Sequence, residues 1–168
     1  SQDDKSHIAQ NLIDILQKDT GLIKETKRFI SHWILSGPEE KTKDDFDIWD
    51  IVLRNYLPKT RPVLFRACDI INKKGKILSF TGRLECARRI SQGWESLIIC
   101  DTKETLKFEE ELFKIGDYRH TFYPLVSVLI KDQDSIKSEF SDFLLEYINE
   151  DEYIMKIDLE NMHNFKWI

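Results

Sequence analysis

The sequence predicts an α+β domain, with a helical segment over residues 1–60 and a small mixed β core over residues 61–168. Three observations predict it. Apolar residues in the first sixty positions recur at helical spacing. After "PKTRP" (58–62), short β-branched or aromatic runs alternate with helical stretches and turns. The length of 168 residues fits one domain with its own core.

In chain order, residues 6–18 place Ile8, Leu12, Ile15 and Leu16 on one helical face, with Ser6 as the expected N-cap. Residues 22–35 repeat the pattern through Ile23, Phe29, Ile30, Trp33 and Ile34. "SGPEEKTKDD" (36–45) reads as a linker, and "DFDIWDIVLRNYL" (45–57) as a third helix stopped by Pro58. Left unpacked, these faces would expose a broad apolar surface, so the helices are expected to pack on the β core.

"VLFRAC" (63–68) and "ILSFT" (77–81) read as strands, separated by the turn "NKKGK" (72–76). "GRLECARRIS" (82–91) returns to helix and "WESLIICD" (94–101) to strand. Residues 102–115 read as an acidic helix, and "FYPLVSVLIKD" (122–132) as a buried strand. Asp134 or Ser135 is expected to cap a helix running to Leu145, with Phe140, Phe143 and Leu144 inward. "YIMKID" (153–158) and "FKWI" (165–168) complete the strands.

Charge is unevenly distributed. The net charge is −5, which argues against a general affinity for nucleic acid or anionic lipid. Residues 54–89, however, carry ten Lys/Arg against two acids, a pattern that predicts a local anion site. Cys68, Cys86 and Cys100 lack metal-ligand spacing and read as buried thiols in a reducing compartment. No apolar run reaches membrane length and no signal peptide is visible, so cytoplasmic action is expected and no membrane partner. An effector delivered without a cleaved signal would carry the same marks. The opening Ser-Gln-Asp-Asp without Met reads as a processed terminus.

There is no phosphate-binding glycine loop, no G-x-S-x-G and no H-E-x-x-H. His7, His32, His120 and His163 are scattered and read as structural or exposed; no metal is expected. Three features remain. Arg66 interrupts an apolar strand, so it either pairs with a buried partner or faces water from an edge. Ser79 and Thr81 share one strand face, by function or by ordinary alternation. Glu150 and Glu152, with Tyr147 three residues earlier, share another face, or form a solvated turn.

In this order, a strand arginine, a Ser-x-Thr strand and Tyr-x-x-Glu-x-Glu resemble the arginine–serine–glutamate class of the mono-ADP-ribosyltransferase toxin family. "ILSFTGRLECARRIS" is similar to that family's second strand and following helix, with Ala87 packed beneath it. The likeness spans residues 61–168. It departs from the family in reading Ser-Phe-Thr where Ser-Thr-Ser is usual, and in a short Arg66–Ser79 interval that leaves little room for a helix.

The resemblance implies NAD as substrate and transfer of ADP-ribose with loss of nicotinamide. Glu152 would hold the ribose 2′-hydroxyl and stabilise the developing cation, and Glu150 would orient or deprotonate the acceptor. Arg66 would bind pyrophosphate or ribose, Ser79 would fix Glu152, and Thr81 would brace the site. Tyr147 would lie on the acceptor side, and Trp94 would stack on nicotinamide. The implied partner is a macromolecular acceptor, protein arginine ahead of RNA or DNA, together with an inhibitor or antitoxin protein. The alternatives are a non-catalytic interaction module and an NAD glycohydrolase without acceptor.

Overall fold

The computed structural model describes residues 1–68, 75–91, 96–104, 121–157 and 162–166. It is a mixed α+β fold in which N-terminal helices cover a central β-sheet. Helix α1 spans Gln2–Gln17, α2 Lys24–Leu35 and α3 Lys43–Asn55, with a 3₁₀ turn at Pro38–Glu40. The first cap is Ser1, not Ser6: its hydroxyl accepts from the Asp4 N–H while the Asp4 carboxylate reaches back. Thr42 and Asp45 make the same reciprocal cap on α3, which moves that helix start two residues earlier than expected.

The strands are β1 (Val63–Cys68), β2 (Ile77–Thr81), β3 (Ser96–Asp101), β4 (Phe122–Tyr123), β5 (Glu152–Lys156) and β6 (His163–Lys166). Helix α4 (Leu84–Ile90) follows β2. Their order across the sheet is β4-β5-β2-β1-β3-β6. A mixed β core was expected, but every pairing among the described residues is antiparallel. The ladders are unequal. Strand β1 keeps six registered pairs with β3, from Val63↔Asp101 to Cys68↔Ser96, and β2 keeps five with β5. Between β1 and β2 there is one, Phe65↔Thr81, so the sheet is nearly parted there.

The expected strand over 122–132 is overturned. Only Phe122–Tyr123 pair as a strand; Pro124 then caps helix α5, Leu125–Gln133. Its buried residues, Leu125, Val126, Val128, Leu129 and Asp132, follow helical spacing, and tertiary packing overrides their β propensity. The expected helix from Asp134 or Ser135 to Leu145 is also corrected. Asp132 accepts from the Ser138 hydroxyl (2.6 Å) and from the Glu139 (2.8 Å) and Phe140 (3.1 Å) N–H groups, which ties residues 134–141 into a loop. Ser141 caps the short helix α6, Asp142–Leu145, and a 3₁₀ turn over Glu146–Glu150 follows. Phe140 and Leu144 are buried as expected, but Phe143 is exposed.

Among the described residues, two cores hold the sheet. On one face, α1–α3, α5 and α6 close over Ile77, Tyr123 and Ile154. Trp33, Trp49 and Tyr123 form its aromatic spine, with ring centroids 5.7 Å (Trp33–Trp49) and 5.5 Å (Trp49–Tyr123) apart. On the other face, Leu64, Phe80, Ile98, Cys100, Phe122 and Met155 pack together. Cys86 and Cys100 are buried. Among the described residues, no helix is long and apolar enough to cross a membrane.

Candidate active site

Where β1 and β2 part, a cavity of about 430 Å³ opens. Arg66, Ser79, Thr81, Tyr147, Glu150 and Glu152 all line it, so the structure brings six of the seven expected site residues to one place. Trp94 lies outside the described residues.

Strand alternation sets the inner wall. Ser79 and Thr81 lie on the helix-covered face with Ile77, while Phe80 turns into the opposite core. Phe can stand between Ser79 and Thr81 because its side chain packs into the opposite core, although the residue also borders the cavity. The Ser79 hydroxyl donates to Glu152 Oε2, and the Trp33 indole N–H donates to the same oxygen at 3.0 Å. Two donors therefore fix the carboxylate rotamer. Arg66 reaches across the parted strands and donates from Nη1 to the Ser79 carbonyl at 2.6 Å. A side chain thus engages a strand carbonyl beside the seam.

Glu150 and Glu152 do not alternate along one strand, as the sequence predicted. Glu150 ends the 3₁₀ turn, Asp151 takes a left-handed backbone (φ 49°), and only Glu152 begins β5. The turn still aims both glutamates into the cavity. It is pinned by the Thr81 hydroxyl, which donates to the Glu150 carbonyl (2.7 Å), and by the Gly82 N–H, which donates to the Asp151 carbonyl (3.0 Å). Asp151 turns away and lies over Gly82, where a Cβ would meet its Oδ2 at 2.2 Å. Any side chain at position 82 would have to displace the Asp151 carboxylate.

Three contributors were not singled out from sequence. Trp33, 1% exposed, comes from the N-terminal helices. Lys41, from the stretch read as a linker, donates to the Trp33 (3.0 Å) and Ser36 (2.8 Å) carbonyls and stands 4.3 Å over the Trp33 ring. Arg89, in the last turn of α4, donates from Nη2 to both Glu150 oxygens, at 2.7 and 2.6 Å. The available signals were weak: a Trp in an apolar stripe needs an indole partner once buried, and Arg89 belongs to the basic run.

Burial raises the Glu152 carboxyl above the usual glutamate range; hydrogen bonds from Ser79 and Trp33 and the charges of Lys41 and Arg66 only partly oppose this. Burial likewise lowers Lys41, against the pull of Glu152 and Asp45. A second cavity of about 510 Å³ shares Trp33, Lys41, Arg66 and Ser79 with the first, and adds Lys76 and Lys156. The two cavities adjoin at these four residues; the first holds Glu150 and Glu152 with Lys41, Arg66 and Arg89, and the charged lining of the second is basic throughout. No group of three or more His, Cys, Asp or Glu among the described residues is placed to hold a metal.

Compared with protein-family models, curated proteins and solved structures, the chain shows no match.

Proposed function

We propose that the chain is an NAD-dependent glycosyl-transfer enzyme acting in the parted sheet, and more narrowly a toxin-like or defence-related mono-ADP-ribosyltransferase with a macromolecular acceptor. The observation that carries this reading is the convergence of the Ser79 hydroxyl and the Trp33 indole on one oxygen of the half-buried Glu152, on the wall of a cavity reached by Arg66. The two adjoining cavities suit a dinucleotide in size and in donor set: the cavity that holds both glutamates for the reacting riboside, and Arg66, Lys41, Lys76 and Lys156 for the phosphates.

NAD supplies a glycosidic bond to nicotinamide that breaks with the electron pair leaving on nicotinamide, so positive charge develops on the ribose. Glu152, when ionised, stabilises that charge and is preorganised by its two donors. Ser79 and Trp33 keep its other lone pairs free to accept from a ribose hydroxyl. Arg66 offers a planar donor fork to phosphate. Glu150, on the open side near Tyr147, orients the acceptor and takes its proton. Protein arginine is the preferred acceptor, with nucleic acid second.

The test is incubation with NAD labelled on its ADP-ribose portion, in a lysate containing protein and RNA, while nicotinamide release is followed. Label transferred to either polymer supports the reading. Nicotinamide release without a labelled acceptor would assign a glycohydrolase. No binding or consumption of NAD would leave an interaction module.

A further inference from the structure

The carboxylate assigned to meet the acceptor already faces a guanidinium. Arg89 directs Nη2 at both oxygens of Glu150, and both residues line the first cavity together with Glu152. This is not a buried structural pair: the Arg89 side chain is 62% exposed, and exposed pairs add little to stability. Other basic groups nearby are disposed differently. Arg66 is engaged at the Ser79 carbonyl in the depth of the cleft, Lys41 carries no guanidinium, and Arg83 and Arg88 do not line the cavity.

We propose that Arg89 is a self-modification site, taking ADP-ribose from NAD within its own chain. This rests on the transferase reading above. In the step, the bond from ribose C1′ to the nicotinamide nitrogen breaks and its electron pair leaves on neutral nicotinamide. A bond forms between C1′ and an Arg89 guanidino nitrogen, and the proton lost from that nitrogen passes to Glu150. Nothing is oxidised or reduced. The product is a substituted guanidinium, still cationic, and it places a bulky anionic ADP-ribose group at the cavity mouth beside Glu150. Self-modification would therefore limit later turnovers at the acceptor side.

The full chain is incubated with NAD, nicotinamide release is measured, and the digest is mapped by mass spectrometry. A parallel reaction contains agmatine as a free guanidino acceptor. The expected result is ADP-ribose on Arg89, in a fraction independent of protein concentration, and loss of that label in Arg89→Lys. Transfer to agmatine or water with Arg89 unmodified would overturn the proposal, as would label confined to Arg83 or Arg88. A labelled fraction that rises with protein concentration would overturn the same-chain step. Absence of nicotinamide release in every arm would instead overturn the transferase reading, and this proposal with it.

Discussion

Strand β1 has two flanks that behave differently. Toward β3 it is zipped over six registered pairs, with Ile98 and Cys100 fully buried beneath. Toward β2 it keeps a single pair, and polar side chains occupy the gap: Arg66 on the Ser79 carbonyl, and Ser79 on Glu152. The zipped flank fixes where β1 runs; the parted flank holds the proposed site. A continuous ladder on both sides would leave no cleft, because neighbouring strands stand only about 5 Å apart. Substitutions on the two flanks should therefore separate stability from activity.

The largest effect is expected at Glu152→Gln. Nicotinamide release and transfer should both fall by roughly 10²–10⁴-fold, as for loss of a positioned catalytic group. Stability should move the other way. Burial raises the folded-state pKa of Glu152, so above that value the folded chain carries a charged carboxylate at a cost absent from the unfolded chain. Gln lacks that cost, and the variant should melt no lower than the parent at neutral pH. A variant that is both inactive and unfolded would erase the contrast between the flanks.

Glu150→Gln should reduce transfer to a macromolecule by a comparable factor, yet leave NAD hydrolysis to water largely intact, because the proposed mechanism uses that carboxylate only in the acceptor step. Equal loss of both activities would move Glu150 into the bond-breaking step. On the zipped flank, Ile98→Ala should cost about 2–5 kcal/mol of unfolding free energy, read by denaturant titration. The protein that remains folded should release nicotinamide at the parental rate.

Much of this contrast was legible in the sequence, and the rest has physical reasons for being hidden. Period-two alternation was enough to place Ser79 and Thr81 on one face. Helical spacing located α1–α3 to within a few residues, apart from the Ser1 and Thr42 caps. The run from Phe122 to Asp132 misled because a short apolar stretch fits a strand or a buried helix equally, and Pro124 starts the helix. Glu150 and Glu152 were expected on a common strand face. They reach a common cavity through a left-handed Asp151, and no periodicity announces a single backbone reversal. Trp33 was read as part of an apolar face. Its bond to Glu152, 119 positions away, is a property of the assembled fold.

Trp33→Phe probes that long-range bond while keeping the aromatic packing. Loss of one hydrogen bond to a charged group should lower the rate about tenfold. The pH profile is the more specific readout. In the parent, activity should fall as pH drops through a Glu152 pKa lying above the usual glutamate range. Removing a donor that favours the carboxylate raises that pKa further, so the acid limb should move to higher pH in the variant. An unmoved limb would make Trp33 a packing residue only.

The smallest effect is expected at Asp151→Asn. Asp151 lies over Gly82, away from the cavity, and Asn tolerates the left-handed backbone well. Both activities should stay close to the parent. A loss as large as that of Glu152→Gln would mean that the turn presents the wrong carboxylate.

The claim that the parted flank is the NAD site is tested most directly by a structure of the Glu152→Gln variant with NAD, in which slowed turnover preserves the intact dinucleotide. The account predicts NAD between β1 and β2, with its nicotinamide riboside beside residue 152 and its phosphates among Arg66, Lys41 and Lys76. A variant that remains folded but binds no NAD, or binds it away from this seam, would contradict it.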